Sequence, residues 1–181
     1  MVASLNITQT EEKLKTEIQR VFQRSLHIRH VDAGSCNACE SEIKALTNPY
    51  YDLQRLGIFF TPAPRHADLL LVTGPVTRAM EDALRQTYEA MPEPRLVVAV
   101  GACACDGCVF GASAFARGGL NRVLPVDVYV PGCPPSPLAL IHALLLAVGR
   151  AEQKMRHREL RAQLTLATIP DIVQVNEVRD D

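Results

Sequence analysis

Six cysteines provide most of the reactive side chains in this 181-residue sequence. They fall into three groups, which are Cys36 with Cys39, then Cys103, Cys105 and Cys108, and finally Cys133. Residues 1–20 have neither the basic start nor the apolar core of a secretion signal. We therefore expect the thiols to stay reduced, and clustered reduced thiols indicate metal binding or catalysis rather than disulfides.

Two sets of four thiols match known metal sites, and both contain the CxxC motif at residues 36–39. Adding Cys105 and Cys108 gives the double CxxC of a structural zinc site. Adding Cys103 and Cys133 instead uses a cysteine followed by proline, which is a feature of ferredoxin cluster loops. Residue types and spacing alone favour zinc and an iron–sulfur cluster about equally.

Each cysteine group follows a short run of residues that predicts a strand. The predicted strands are His27–Val31, Leu69–Thr73, Leu96–Val100 and Val126–Val130, with a weaker one at Gly57–Phe60. Their nearly continuous apolar character is typical of parallel strands that are covered on both faces. Ligands bind at the carboxyl ends of such strands, so three distant loops should bring the thiols to one edge of the sheet.

Helical patterns alternate with these strands and predict an α/β fold. The predicted helices are Glu11–Leu26, Cys39–Leu46, Val76–Ala90 and Pro135–Val148. The Thr61–Asp68 link is shorter than a helical crossover requires, so we expect no helix there.

The same patterns divide the chain into one domain with two flanking segments. Residues 1–26 should form an amphipathic N-terminal helix, and residues 27–149 the metal-binding α/β domain. Residues 150–181 should form a C-terminal tail that docks on a partner or is disordered in isolation. The basic segment Lys154–Arg161 favours a solvated helix face, with docking on a membrane arm as the alternative.

Composition excludes several classes of function. The 19 basic and 20 acidic residues give a net charge of −1, which argues against a nucleic-acid surface. Aromatic residues make up 5% of the chain and tryptophan is absent, so a base-stacking platform is also disfavoured. No apolar run approaches the length of a transmembrane helix, and we expect a soluble cytoplasmic protein.

A family resemblance rests on six motifs that occur in family order between about Ile28 and Val148. They are Gly34-Ser-Cys-Asn-Ala-Cys-Glu, Pro64-Arg-His-Ala-Asp, Thr73-Gly-Pro-Val-Thr, Met91-Pro-Glu-Pro-Arg, Val100-Gly-Ala-Cys and Val130-Pro-Gly-Cys-Pro-Pro-Ser. The sequence resembles the small subunit of membrane-bound nickel-iron hydrogenases such as formate hydrogenlyase, a family related to the B subunit of respiratory complex I. The resemblance implies a flavodoxin-like, doubly wound parallel sheet in a single domain. It also implies one 4Fe-4S cluster, with Cys36, Cys39, Cys103 and Cys133 as its ligands.

The resemblance implies a function as well. Complex I subunits have two adjacent cysteines, whereas hydrogenase small subunits have the CxxC spacing found at Cys36-Asn-Ala-Cys39. The implied role is electron transfer between a ferredoxin-like iron–sulfur subunit and the nickel-iron site of a large subunit. The implied place is peripheral, on the cytoplasmic side of the inner membrane, beside membrane-arm subunits. The active centre of the oxidoreductase would then lie on the partner chain.

Three other functions compete with this interpretation. Quinone reduction, as in complex I, would be favoured by a large subunit without nickel ligands. A zinc-stapled scaffold without enzymatic activity would use residues 36–39 with Cys105 and Cys108. A flavin carrier fits the fold class, but the sequence lacks a Ser/Thr-rich phosphate loop after the first strand.

Five further side chains are candidates for the site. Glu42 matches an acidic position common in the family, where it would transfer protons or face the partner, and a solvated or capping glutamate is the alternative. For Arg65 and His66, we favour a position in a solvated loop over contact with the cluster or the large subunit. For Cys105 and Cys108, we favour a role as small residues in a tight loop over a role as a substitute ligand or a redox-active thiol.

Several residues in the cysteine loops are candidate hydrogen-bond donors to the cluster sulfurs. They are Gly34, Ser35, Gly101 and Gly132. Ordinary turn glycines are an equally good interpretation of this pattern.

Overall fold

The computed structural model describes residues 7–167, with side chains over residues 9–159. This part of the chain contains five strands and five α-helices. The elements are α1 (Ile7–Phe22), β1 (Leu26–Asp32), α2 (Ala38–Ala45), β2 (Ile58–Phe60), β3 (Leu69–Thr73), α3 (Arg78–Glu89), β4 (Leu96–Val100), α4 (Gly101–Asp106), β5 (Val128–Val130) and α5 (Pro137–Ala167). Short 3-10 turns lie in the connections.

The strands form one sheet in the order β2-β1-β3-β4-β5. Every pairing is parallel, with Ile28 opposite Leu69 and Leu69 opposite Leu96. This is the doubly wound order of flavodoxin-like folds, in which the chain moves outward in both directions from β1 and β3. The predicted α/β class and flavodoxin-like sheet are confirmed.

Both faces of the sheet are buried, which explains the continuous apolar runs. Leu69 and Leu71 point to the face covered by α1 and α5. Leu70 and Val72 point to the opposite face and pack with residues of α3 and α4. Because strand side chains alternate between faces, a run such as β3 with all five residues buried must lie between two layers.

The link between β2 and β3 contains no α-helix, as predicted. The N–H of Thr61 donates to Ile28 O at 2.9 Å, and the N–H of Asp68 donates to His27 O at 2.8 Å. The chain therefore leaves and rejoins the sheet beside neighbouring residues of β1. A single 3-10 turn at Pro64–His66 is enough to bring it across β1.

The predicted ends of two helices are wrong. The N-terminal helix ends at Phe22, and Leu26 is the first residue of β1. The last helix does not stop at Val148 but continues through Gly149 to Ala167, since Val148 and Ala151 remain buried on the side facing the sheet. The rest of the predicted tail, residues 168–181, lies outside the described residues. None of the helices in the described part is both long and apolar enough to cross a bilayer.

Candidate metal centre

The loop after β1 carries the CxxC pair. The Asp32 carboxylate accepts hydrogen bonds from the N–H groups of Gly34 at 2.8 Å and Ser35 at 2.6 Å, which turns the chain at the end of the strand. Burial alone would raise the pKa of Asp32, but these N–H groups outweigh it and lower the pKa below its usual value. Cys36 lies in the resulting loop and Cys39 in the first turn of α2. Gly34 and Ser35 are two of the residues predicted to donate hydrogen bonds to the cluster sulfurs. In the structure they donate their N–H groups to Asp32 instead.

The loop after β4 approaches the first cysteine loop closely at Gly101. A Cβ atom at Gly101 would lie 2.7 Å from the Cys39 Sγ, and the residue has a φ of +86°. Glycine is therefore required at this position for two independent reasons. The next residue, Ala102, donates its N–H to Gly132 O at 2.8 Å, which joins this loop to the loop that carries Cys133.

Burial and neighbouring groups raise the pKa of two of the predicted ligand thiols, Cys39 and Cys103. The pKa of Cys39 rises to about 11, first because the thiol is partly buried, then because of the Glu40 charge and the thiols of Cys36, Cys103 and Cys133. Burial also raises the pKa of Cys103, and neighbouring thiols including Cys133 and Cys36 raise it further. The structure thus brings the thiols from three loops to one edge of the sheet.

The thiols are spread around this edge rather than gathered at one point. Within the described side chains, no three His, Cys, Asp or Glu residues lie close enough together to bind a single metal ion. Cys36 and Cys133 are exposed, whereas Cys39 and Cys103 are half-buried. Four thiols from three loops, with Gly101 packed closely against the Cys39 Sγ, fit the donor set of an iron–sulfur cluster, in which each thiolate can bind a different iron.

The thiol of Cys105 faces away from this edge. Its S–H donates to Ala99 O at 3.8 Å, and the side chain packs against the core under α3 and α4. Burial raises the pKa of Cys105, as expected for an inert thiol. The structure therefore does not assemble the zinc set that includes Cys105. Cys105 lies in α4 rather than in the predicted tight loop, and its side chain has a packing role.

Cys108 occupies a different environment. It is exposed, it has a φ of +47°, and Asp106 Oδ1 accepts its N–H at 2.7 Å. Burial is the largest cause of the raised pKa of Cys103, and the Cys108 thiol is the next largest. The residues that follow it are strongly apolar and exposed, with Val109 at 87% and Phe115 at 83% of full exposure.

The acidic residue buried beside the cysteine loops is Glu40, not Glu42, which the sequence singled out. Glu42 is half-buried and has no hydrogen bond or ion pair with other described residues. Glu40 is 8% exposed, and both of its carboxylate oxygens are buried without a hydrogen-bond partner in the described structure. Helical spacing places Glu40 on one face with Ile43 and Leu46, but the burial of that face depends on how α2 packs.

His30 lies beside Glu40. Its Nε2 is 3.7 Å from Glu40 Oε1 and forms a 3.0 Å hydrogen bond with Thr73 Oγ1. Burial lowers the pKa of His30, while the nearby Glu40 charge acts in the opposite direction. By contrast, Arg65 and His66 are exposed, as predicted for a solvated loop.

Comparison with known proteins identifies the family. The model of the NADH ubiquinone oxidoreductase 20 Kd subunit family matches residues 36–147, a region that begins at Cys36 and includes Cys103 and Cys133. The chain belongs to this family. The 20 Kd subunit family supplies subunits of oxidoreductase complexes, and the predicted relation to the complex I B subunit is confirmed.

Relatives of the 20 Kd subunit type include hydrogenase subunits. The chain is 43% identical over 145 residues to the probable membrane-bound hydrogenase subunit mbhJ of Pyrococcus furiosus, covering 80% of this chain and 87% of that protein. It is 38% identical over 180 residues to formate hydrogenlyase subunit 7 of Escherichia coli, covering 98% and 71%. The NADH-quinone oxidoreductase B subunit of Citrifermentans bemidjiense is 48% identical over 107 residues, covering 59% and 62%.

A solved structure shares the fold. A chain of the membrane-bound sulfane sulfur reductase, an archaeal respiratory membrane complex, has a TM-score of 0.64 and 29% identity. The match covers 87% of this chain and 91% of that chain. The 20 Kd subunit architecture therefore occurs in complexes whose names describe different overall reactions.

Proposed function

We propose that this chain binds one 4Fe-4S cluster through Cys36, Cys39, Cys103 and Cys133. The proposed cluster passes electrons between a ferredoxin-like subunit and the nickel-iron site of a large partner subunit, in a hydrogenase complex of the formate hydrogenlyase type. The observation that carries the proposal is the convergence of the three cysteine loops at the carboxyl edge of the parallel sheet, where Gly101 lies against the Cys39 Sγ and Ala102 donates its N–H to Gly132 O. When bound, such a cluster supplies one-electron transfer.

The chain's own contribution is to position the ligands. The thiols bind iron as thiolates, so the raised pKa of Cys39, about 11, means that assembly must remove a proton from this side chain. Gly101 leaves room beside Cys39, and the Ala102 hydrogen bond to Gly132 fixes the third loop against the second. Since the loops begin at the ends of paired strands, the site is preorganised for electron exchange without large movement.

An exposed apolar loop supports docking of a partner at the cysteine edge. The loop at residues 108–116 follows Cys103 and exposes Val109, Phe110 and Phe115. Large apolar side chains clustered on a surface are typical of protein interfaces.

The relatives support the choice of complex and its location. The match to mbhJ covers 80% of the chain, whereas the match to the complex I relative covers 59%. The CxxC spacing also favours the hydrogenase branch over the quinone-reducing one. Since relatives are named as subunits of membrane-bound complexes, we propose that this chain lies peripherally at the cytoplasmic face of the inner membrane, next to membrane-arm subunits.

The test uses the complex purified with its natural partner subunits. We expect hydrogen to reduce the proposed cluster, as an EPR signal that develops under hydrogen and disappears on oxidation. In a Cys133→Ser variant, hydrogen–deuterium exchange at the partner's site should persist while electron delivery to a ferredoxin-type acceptor is lost. Cys105→Ser is the matched control and should retain both activities, because its thiol faces the core.

Other outcomes would contradict the assignment. A complex that does not react with hydrogen but reduces a quinone would move the chain to the complex I-like function. Full electron delivery in the Cys133→Ser complex would remove Cys133, and with it the proposed ligand set, from the electron path.

A further inference from the structure

Glu40 has an environment unlike that of the other buried acids. In the described part of the chain, Asp68 accepts the N–H of His27 at 3.0 Å, and Glu11 pairs with Arg55 at 2.8 Å. Neither carboxylate oxygen of Glu40 has such a partner. Burying a carboxylate without hydrogen bonds destabilises a fold, so this side chain is poorly explained by a structural role.

The contacts of Glu40 hold it in place without satisfying its oxygens. The ring of His30 lies 3.7 Å from Oε1, beyond hydrogen-bond distance, and its Nε2 is already bonded to Thr73 Oγ1. The backbone of Glu40 belongs to the first turn of α2, which fixes the side chain on the buried face of that helix. The Glu40 side chain therefore lies on the buried face of α2, in the residue that directly follows Cys39.

The position of Glu40 gives its charge a direct effect on the thiol site. It follows Cys39 in sequence, and it is the first of the charged neighbours that raise the pKa of that thiol. In a buried environment a charge is weakly screened, so its influence on a neighbouring group is larger than at the surface. The same charge would act on any redox group that Cys39 binds.

We infer that Glu40 sets the reduction potential of the proposed cluster through its buried negative charge. The inference rests on the proposed function. One electron enters the cluster from the ferredoxin-like donor and makes it one unit more negative, and the same electron later leaves to the partner's site. A fixed negative charge disfavours the reduced form and so holds the potential low.

The experiment compares four forms of the full-length chain after anaerobic reconstitution: wild type, Glu40→Gln, Glu40→Asp and Glu42→Gln. EPR-monitored potentiometric titrations at one pH give the potential of each, with iron and sulfide contents measured alongside. We expect E40Q to favour reduction about tenfold, a positive shift of about 59 mV for a one-electron couple. E40D keeps the charge and should remain near wild type, and E42Q should shift less than E40Q.

A potential for E40Q that equals that of the wild type, or an equal shift in E40Q and E42Q, would overturn the inference. A shift in E40D as large as that in E40Q would also overturn it, since that result would indicate a packing effect. Absence of a cluster in the wild type and E42Q would instead refute the proposed function, and this inference with it.

A second measurement does not depend on the cluster. Because Glu40 is buried without a partner, the cluster-free E40Q chain should melt at a higher temperature than the wild type. A lower melting temperature would show that the carboxylate stabilises the fold, which contradicts a residue retained for its charge. This result stands even if E40Q fails to assemble a cluster.

Discussion

The two edges of the sheet treat polar groups in opposite ways. At the amino edge, Asp127 accepts the N–H of Val97 at 2.9 Å and the Nζ of Lys154 at 2.7 Å. Asp68 accepts the N–H of His27 at the same edge. Both carboxylates connect strand ends to neighbouring segments through hydrogen bonds.

At the carboxyl edge several polar groups are left available, although Asp32 there accepts hydrogen bonds from Gly34 and Ser35. Cys36 and Cys133 are exposed, Glu40 has no partner, and Gly101 and Gly132 have φ values of +86° and +142°. Left-handed backbone and unpaired polar groups are typical of functional sites, where the surrounding structure must maintain them. Under the proposed function, the amino edge stabilises the fold and the carboxyl edge carries its chemistry. Substitutions at the two edges should therefore have separable effects.

The largest expected effect is at the cysteine loops. Replacing Cys36 with serine should abolish cluster assembly, because a ligand from the first loop is lost. Iron and sulfide analysis after anaerobic reconstitution measures the loss, and circular dichroism should show an unchanged fold. Cys105→Ser is the control, with iron content at the wild-type level. Equal iron loss in both variants would contradict the proposed difference between Cys36, as a cluster ligand at the edge, and Cys105, as a thiol packed against the core.

Gly101→Ala should affect both stability and assembly. The added Cβ would lie 2.7 Å from Cys39 Sγ, and the φ of +86° is unfavourable for alanine. We expect a decrease of about 1–3 kcal/mol in the free energy of unfolding, measured by urea denaturation, together with lower iron occupancy. Gly149→Ala is the matched control, because a Cβ there meets no atom within 4 Å and alanine favours a helix. A Gly101→Ala chain with wild-type stability and iron content would contradict the close approach.

At the amino edge the effect should be on stability alone. Asp127→Ala leaves the Val97 N–H without its acceptor and leaves Lys154 with Arg95 O alone, which should lower the free energy of unfolding by about 1–3 kcal/mol. Reconstituted iron content should stay at the wild-type level. Loss of iron in this variant, with the fold intact by circular dichroism, would break the separation between the edges.

The smallest expected effect concerns pH. The pKa of Asp32 is lowered in the folded chain, since the backbone hydrogen bonds outweigh burial, so its ionised form stabilises the fold. This contribution is present above the unfolded-state pKa and is lost as pH falls through the lower folded-state value. Melting temperatures of the cluster-free chain below about pH 4 should therefore fall more steeply in the wild type than in Asp32→Asn. Parallel curves for the two forms would contradict the described role of Asp32.

Much of the fold could be predicted from sequence, because the strands are buried on both faces. The predicted bounds of Leu69–Thr73 and Leu96–Val100 are those of β3 and β4. The end of α5 could not be predicted, since Gly149 lowers helix propensity and the packing of α5 on the sheet, which outweighs it, is not visible in local sequence. The same limitation applies to Leu26, whose burial suits either a helix or a strand.

For the site, spacing identified the loops but not the direction of each side chain. The structure separates Cys105, which packs in the core, from Cys103, although they are two residues apart on α4. Glu42 attracted attention through family resemblance, whereas the burial of Glu40 depends on how α2 packs. Direction and desolvation arise from tertiary contacts, so they require the structure.

The most direct test of the central claim is anaerobic reconstitution of the wild-type chain beside the Cys105→Ser/Cys108→Ser variant. Both should bind about four iron and four sulfide ions per chain and give an EPR signal on reduction, because the proposed ligands lie outside the substituted pair. A wild-type chain that takes up no sulfide and binds zinc, with that zinc lost in the double variant, would contradict the account.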